Sequence, residues 1–310
     1  EVVKDVMDIH GGKGIILGPR NYLGRAWQAT PISITVEGAN IMTRSLMIFG
    51  QGAILCHPWV MKEMKAAQLP DATERIDTFD DALFGHIGYA ISNAVRAWWC
   101  GFSGARIGKA PGDDYTRRFY RKLDRYSAAL AVMADTSMLL LGGKLKFKES
   151  LSGRLGDVLS QLYICSSMLK RYEDEGRPVG DQPLLAWAFH DSVNKMETAL
   201  SGALRNFPIR PIGWLLWAVI FPFGRRAQEP SDRLGHRAAS LLMTPCDARQ
   251  RLADGVFTTP TANNPAGRID SYLPKVILAE PVERKFLKAL KNSDIEAVDF
   301  VSQLDEGVRE

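Results

Sequence analysis

The sequence is poor in the features that define several large functional classes. Its four cysteines, Cys56, Cys100, Cys165 and Cys246, are scattered through 310 residues. No CxxC pair and no Cys/His group at ligand spacing is present, so neither a zinc site nor a disulfide framework is expected. Runs of alternating β-branched residues are scarce, which argues against a sheet. The P-loop pattern GxxxxGK[ST] is missing. Charge of one sign is also lacking: 39 Lys and Arg against 35 Asp and Glu leave a net +4, too little to imply a nucleic-acid partner. No apolar run reaches the roughly 20 residues that a bilayer span needs. The chain opens EVVKDVMDIHGG with no basic n-region or apolar h-region, and its first residues read as the middle of a helix, so a preceding part of the polypeptide is expected.

What is present is helix. Phe119, Leu123, Tyr126, Leu130 and Met133 recur at steps of four and three behind Asp113-Asp114, a candidate N-cap, and predict a helix from Tyr115 to Leu141 closed by Gly142-Gly143. A second helix carries Leu155, Val158, Leu159, Leu162 and Leu169, and a third runs from Pro183 to about Leu204. Long amphipathic helices joined by short polar loops predict an all-α antiparallel bundle. Further helices are expected after Pro58, over Asp80–Ala97, Ser231–Met243, Val282–Lys291 and Ile295–Leu304. Ile32 to Val36 alternates like a strand but runs on without a stop, and reads as a helix with a β-branched entry.

Two segments near the start invite chemistry. Ile9-His10-Gly11-Gly12-Lys13-Gly14-Ile15 places paired glycines directly after a helix, where they serve either as a helix C-cap or as backbone open to a phosphate. Thr30 to Arg44 sets one carboxylate, Glu37, among Ile34, Val36, Gly38, Ala39 and Ile41. Shielding from water raises a carboxyl pKa towards neutrality, as a general base requires. The alternative reading of the same residue is a glutamate at a helix start, where the helix dipole favours it.

These residues resemble a known family. IHGGKGI at Ile9–Ile15, LGPRNYLGRAWQATPI at Leu17–Ile32 and TVEGANIMTRSLMIFGQGAILCHP at Thr35–Pro58 occur in the order found in acyl-CoA dehydrogenases, most closely the enlarged bacterial β-oxidation (FadE-type) enzymes. The resemblance continues through PSDRLGH at Pro230–His236 and covers essentially the whole chain. It implies FAD-dependent α,β-dehydrogenation of long-chain acyl-CoA to trans-2-enoyl-CoA, the first step of β-oxidation. Glu37 falls on the family's catalytic base, Gly38 beside the bound thioester, and Asp8, Gly11 and Gly12 on the segment touching the adenosine diphosphate part of FAD. Val36, Ala39 and Ile41 depart from the Tyr, Thr and Gln of mitochondrial relatives, so the flavin contacts after Glu37 are not carried over. The resemblance also implies acyl-CoA as substrate, an N-terminal flavin-binding part, a homodimer and electron-transfer flavoprotein as acceptor. Residues 1–57 are then the end of the dehydrogenase helical domain, and residues 58–310 an additional helical domain. The competing reading is a non-catalytic helical assembly or membrane-docking module.

Within the additional domain, residues 207–226 hold the uncharged stretch Ile212–Phe223, flanked by Arg205, Arg210, Arg225 and Arg226. Trp214 and Trp217 stand three apart, and prolines bound both ends. The pattern fits a helix or hairpin lying in a membrane interface, with Trp214, Leu215, Leu216, Trp217, Phe221, Arg225 and Arg226 as contacts; the other reading is a helix buried against the bundle. Taken with the resemblance to the enlarged bacterial enzymes, lipid contact implies a location in the bacterial cytoplasm, peripheral to the inner membrane. The run Arg117–Tyr126 reads as a solvated helix face rather than a nucleic-acid site, and His57 and His86 as hydrogen-bonded structural residues rather than metal ligands.

Overall fold

The computed structural model describes residues 2–18, 21–34, 36 and 41–291. In chain order the helices are α1 (Val2–His10), α2 (Gly12–Ile15), α3 (Tyr22–Ala29), a 3-10 turn (Thr30–Ile34), a π-helix (Ile41–Gln51), α4 (Gly52–Leu55), α5 (Val60–Ala66), α6 (Ala72–Phe102), α7 (Arg117–Leu141), α8 (Glu149–Asp174), α9 (Gln182–Arg205), α10 (Arg210–Ile220), α11 (Asp232–Leu242), α12 (Asp247–Ala253) and α13 (Pro265–Lys291). The fold is all-α, with no strand among the described residues. Of the β-branched stretch expected to enter a helix, Ile32, Ser33 and Ile34 lie in the 3-10 turn instead. The helix expected over Ile295–Leu304 lies outside the described residues.

Residues 25–238 form one compact unit; residues 1–24 and 239–310 form a second. The division expected between residues 57 and 58 falls within the larger unit. There α7, α8 and α9 make a bundle, with α6 along α7 and α10 against α6 and α9. Local chemistry fixes the helix ends. Asp71 caps α6 by accepting from the backbone N–H of Thr73 and Glu74 at 3.0 and 2.8 Å. Before α7, the Asp113 carboxylate accepts from Thr116 N–H at 2.7 Å, while the Thr116 hydroxyl accepts from Asp113 N–H at 3.0 Å. The bonds that the Thr116 N–H and, at 2.9 Å, the Thr116 hydroxyl donate to Asp113 Oδ1 hold the Asp113 carboxyl below its ordinary range. Gly142, at φ +48°, ends α7 in the left-handed region.

Of the expected stripes, Phe119, Met133, Leu155, Val158 and Leu169 are buried, whereas Leu159 is 39% exposed. Phe189, Met196 and Leu200 of α9 complete the core. By length and composition α7 and its following turn could cross a membrane. Its buried Arg125 and Asp135, and its packing between α6 and α8, make it a bundle core helix.

In the smaller unit, Asn21 ties the loop ahead of α3. Its amide donates to Gly14 and Ile16 carbonyls at 2.8 and 3.0 Å, and its Oδ1 accepts from Leu23 and Gly24 N–H at 3.0 and 2.7 Å. Asn264 does the same before α13, donating to the Phe257 and Thr259 carbonyls at 2.9 and 3.0 Å. Helix α13 starts earlier than the expected Val282 and carries Pro274 and Pro281 inside it.

Candidate functional site

The glycine segment is an exposed turn. Gly11 adopts φ +55° between α1 and α2, and its N–H donates to the Asp8 carbonyl at 3.1 Å. That is a helix-ending glycine in a conformation costly for other residues. Asp8, Gly11 and Gly12 are exposed, and a Cβ at either glycine would meet nothing within 4 Å. The backbone is therefore open to a flat group brought against it, although these residues do not enclose one. Behind the turn, the Tyr22 hydroxyl lies 2.9 Å from His10 Nε2, and burial raises the Tyr22 pKa.

Glu37 and Gly38 lie outside the described residues. Nearby, Ile32 and Val36 are 63% and 67% exposed, so these expected apolar neighbours are on the surface of this chain. Shielding of a carboxylate at position 37 has to come from surfaces other than these two side chains.

The segment just after it is firmly held. The π-helix packs against α8, burying Ser45 and Phe49. Gly153 and Gly156 make the close approach possible. A Cβ on Gly156 would lie 2.8 Å from the Arg44 carbonyl oxygen, and one on Gly153 would lie 3.1 Å from the Arg44 guanidinium. Arg44 then grips Asp157 with two parallel bonds, Nε donating to Oδ1 at 2.6 Å and Nη2 to Oδ2. The bond to Asp157 raises the Arg44 pKa further.

Spacing arguments missed a three-dimensional cluster. His57, His86 and Asp135 bring ligand-type atoms within 4.8 Å of one another. His57 Nδ1 accepts from Trp59 and Val60 N–H at 3.2 Å each, capping α5, so its hydrogen sits on Nε2 and points to Asp135 Oδ1 at 2.8 Å. A metal on that Nε2 would require an imidazolate. His86 Nδ1 meets Glu63 Oε1 at 2.8 Å, and its Nε2 lies 3.9 Å from Asp135. The cluster reads as a buried polar tie between α5, α6 and α7.

Along α10 the structure corrects part of the expected lipid-contact set. Leu216 and Phe221 are 5% and 1% exposed and belong to the bundle core, together with Ile220, because these positions share the helix face turned to α6 and α9. The Arg225 guanidinium lies on α9, donating to Thr198 Oγ1 at 2.8 Å. Trp217 is half-buried against Phe221. Trp214 and Leu215 face outward, 67% and 61% exposed. A cavity of about 460 Å³ lies beside Trp214 and Trp217, with Arg205 and Arg210 in its wall.

The helical bundle belongs to a described class. Residues 54–310 match the family "Acyl-CoA dehydrogenase, C-terminal, bacterial type", and the chain belongs to that family. Membership assigns it to the acyl-CoA dehydrogenase-type oxidoreductases of fatty acid metabolism, which are FAD-dependent and act on acyl-CoA. The match begins after the Glu37 and Arg44 segment. No solved structure matches the chain.

Proposed function

We propose that this chain supplies the general base of a flavin-dependent dehydrogenase acting on long-chain acyl-CoA, and that Glu37 is that base. The observation that supports the reading is the anchoring of the π-helix Ile41–Gln51, which follows position 37 in the chain, to α8 through Arg44, Gly156 and Asp157; positioned acid–base chemistry requires a fixed frame of this kind. The Glu37 carboxylate takes the α-proton of the thioester onto one of its oxygens. FAD, when bound, would supply the acceptor for the β-hydrogen and its electron pair, so that the electrons left on the α-carbon could close the α,β double bond. Gly38 keeps the backbone approachable beside the thioester carbonyl. Negative charge building on that oxygen is met by backbone N–H.

The open turn at Asp8, Gly11 and Gly12 suits edge contact with the adenosine diphosphate part of FAD, the remaining flavin contacts coming from elsewhere in the enzyme. Electron-transfer flavoprotein is the proposed electron acceptor, and a homodimer the proposed assembly. Glu37→Gln in the full-length enzyme should slow flavin reduction by acyl-CoA about 10²–10⁴-fold while leaving the flavin spectrum in place. A wild-type rate would refute the assignment.

The outward face of α10 supports a second reading, peripheral attachment to the bacterial inner membrane from the cytoplasm. Exposed Trp214 and Leu215 beside Arg205 and Arg210 give the apolar and cationic pairing of an interfacial helix. Trp214→Ser with Leu215→Ser should abolish co-sedimentation with anionic vesicles. Undiminished binding would rule this out.

A further inference from the structure

A cavity of about 380 Å³ opens between the loop after α6, the exposed side of α7 and the chain just past α10. Its wall holds Arg106, Arg118, Arg121, Lys122, Arg125 and Arg226, and no lining residue is acidic. The one carboxylate beneath is Glu197, which is wholly buried and already committed. It accepts from the Tyr126 hydroxyl at 2.8 Å and from Arg226 and Ala227 N–H at 3.0 and 2.8 Å. Glu197 thus pins the strap that carries Arg226 and also pairs with Arg125, Nη2 to Oε1 at 3.7 Å; its single charge leaves the cations of the cavity wall in excess.

The cations are placed rather than scattered. The Arg125 side chain is 7% exposed, and its buried Nε has no hydrogen-bond partner. Arg118 is held against the Tyr115 and Phe119 rings, its Cζ 4.5 and 4.7 Å from their centroids, which places its guanidinium in the cavity wall. Arg121 is steadied by the Gly108 and Arg106 carbonyls at 3.0 and 2.9 Å. Gly104, at φ +63°, leaves room for the Arg226 guanidinium, which a Cβ there would meet at 2.8 Å. The field is felt by its neighbours. Burial, then Arg118 and Arg125, pull the Lys122 ammonium below its ordinary range; burial, then Lys122 and Arg118, push His190 down to about 4.

Like charges gathered at this density repel one another, and an anion of matching geometry relieves that repulsion. Guanidinium forks around a compact cavity suit tetrahedral oxyanions. We propose that this cavity binds a phosphate group, as a monoester, diester or pyrophosphate. Phe223, with the Arg226 guanidinium 4.9 Å from its ring, packs against Phe102 at 5.4 Å, and both are exposed, giving the phosphate's organic part an apolar ledge. Two sources carry such a group, a phospholipid headgroup and a soluble nucleotide phosphate such as that of coenzyme A. The inference is independent of the Glu37 assignment.

The test is calorimetric titration of inorganic pyrophosphate into the full-length protein and into Arg118→Met/Lys122→Met, with Lys195→Met as an outside control. Loss of two charged contacts should raise the dissociation constant at least about tenfold, and the control should match the parent. Lys122→Met alone should raise the unliganded thermal midpoint while reducing the further rise given by pyrophosphate, a sign pattern that a misfolded variant does not produce. Phosphatidylcholine vesicles with and without phosphatidic acid, and free coenzyme A, separate the sources: a defect of the double variant on phosphatidic acid vesicles assigns the lipid, and a defect with coenzyme A the nucleotide. Trp214→Ser should leave pyrophosphate affinity unchanged. Absence of saturable pyrophosphate binding, or equal affinity in parent and double variant, overturns the proposal.

Discussion

The bundle of α7, α8 and α9 and the N-terminal run from α1 to the 3-10 turn follow opposite building rules. The bundle buries Met133, Leu155, Phe189 and Met196 completely, whereas α1 buries no residue and α3 buries only Gly24. Ile9, Ile15, Ile32 and Val36 all stand well exposed in the N-terminal run. Buried apolar contact is therefore concentrated in the bundle, while the described residues of the N-terminal run bury little of their own surface. The π-helix is where these regimes meet, since its Arg44 is fixed to the bundle.

The contrast can be broken by substitution. Phe189→Ala removes a wholly buried ring from the bundle and should cost about 3–5 kcal/mol, read as a large fall in thermal midpoint. Glu197→Gln leaves Arg125 without its buried counter-charge and should cost about 3 kcal/mol; chemical denaturation measures it.

A pH titration sharpens the same region. His190 is held at about 4 in the fold, against an unfolded value near 6.5, so the unfolded chain binds the extra proton first as pH falls. Its contribution is constant above the unfolded value, and stability is lost as pH drops from there towards the folded one. His190→Gln should flatten that part of the stability curve.

Thiol labelling gives a smaller effect. Burial pushes the Cys165 thiol up to about 12, so it should label only on unfolding, while exposed Cys56 labels in the native state. At the bottom of the scale, Ile9→Ser in α1 should change stability by no more than about 0.5 kcal/mol. A loss like that of Phe189→Ala would erase the distinction between the regions.

The long helices were legible because each carried an apolar stripe, and α7 also had Asp113 ahead of its first turn. In α10 nearly every position is apolar, so periodicity could not tell that Leu216 and Phe221 face inward while Trp214 faces out. The His57, His86 and Asp135 cluster joins residues far apart in sequence, beyond the reach of any spacing rule. The basic run of α7, expected as a solvated helix face, buries Arg125; its convergence with Arg106 and Arg226 depends on two turns that only the fold brings together. The grip of Gly156 and Asp157 on Arg44 was equally invisible, since neither end of a long-range pair announces the other.

The most direct test of this account uses Gly156→Ala in the full-length enzyme. On an unobstructed helix this change adds about 1 kcal/mol of helix propensity, but here the new Cβ would sit 2.8 Å from the Arg44 carbonyl and displace the π-helix. The account predicts retained helix content, no gain in stability and flavin reduction by acyl-CoA slowed at least about tenfold through misplacement of Glu37. A more stable enzyme reducing its flavin at the parent rate would contradict it.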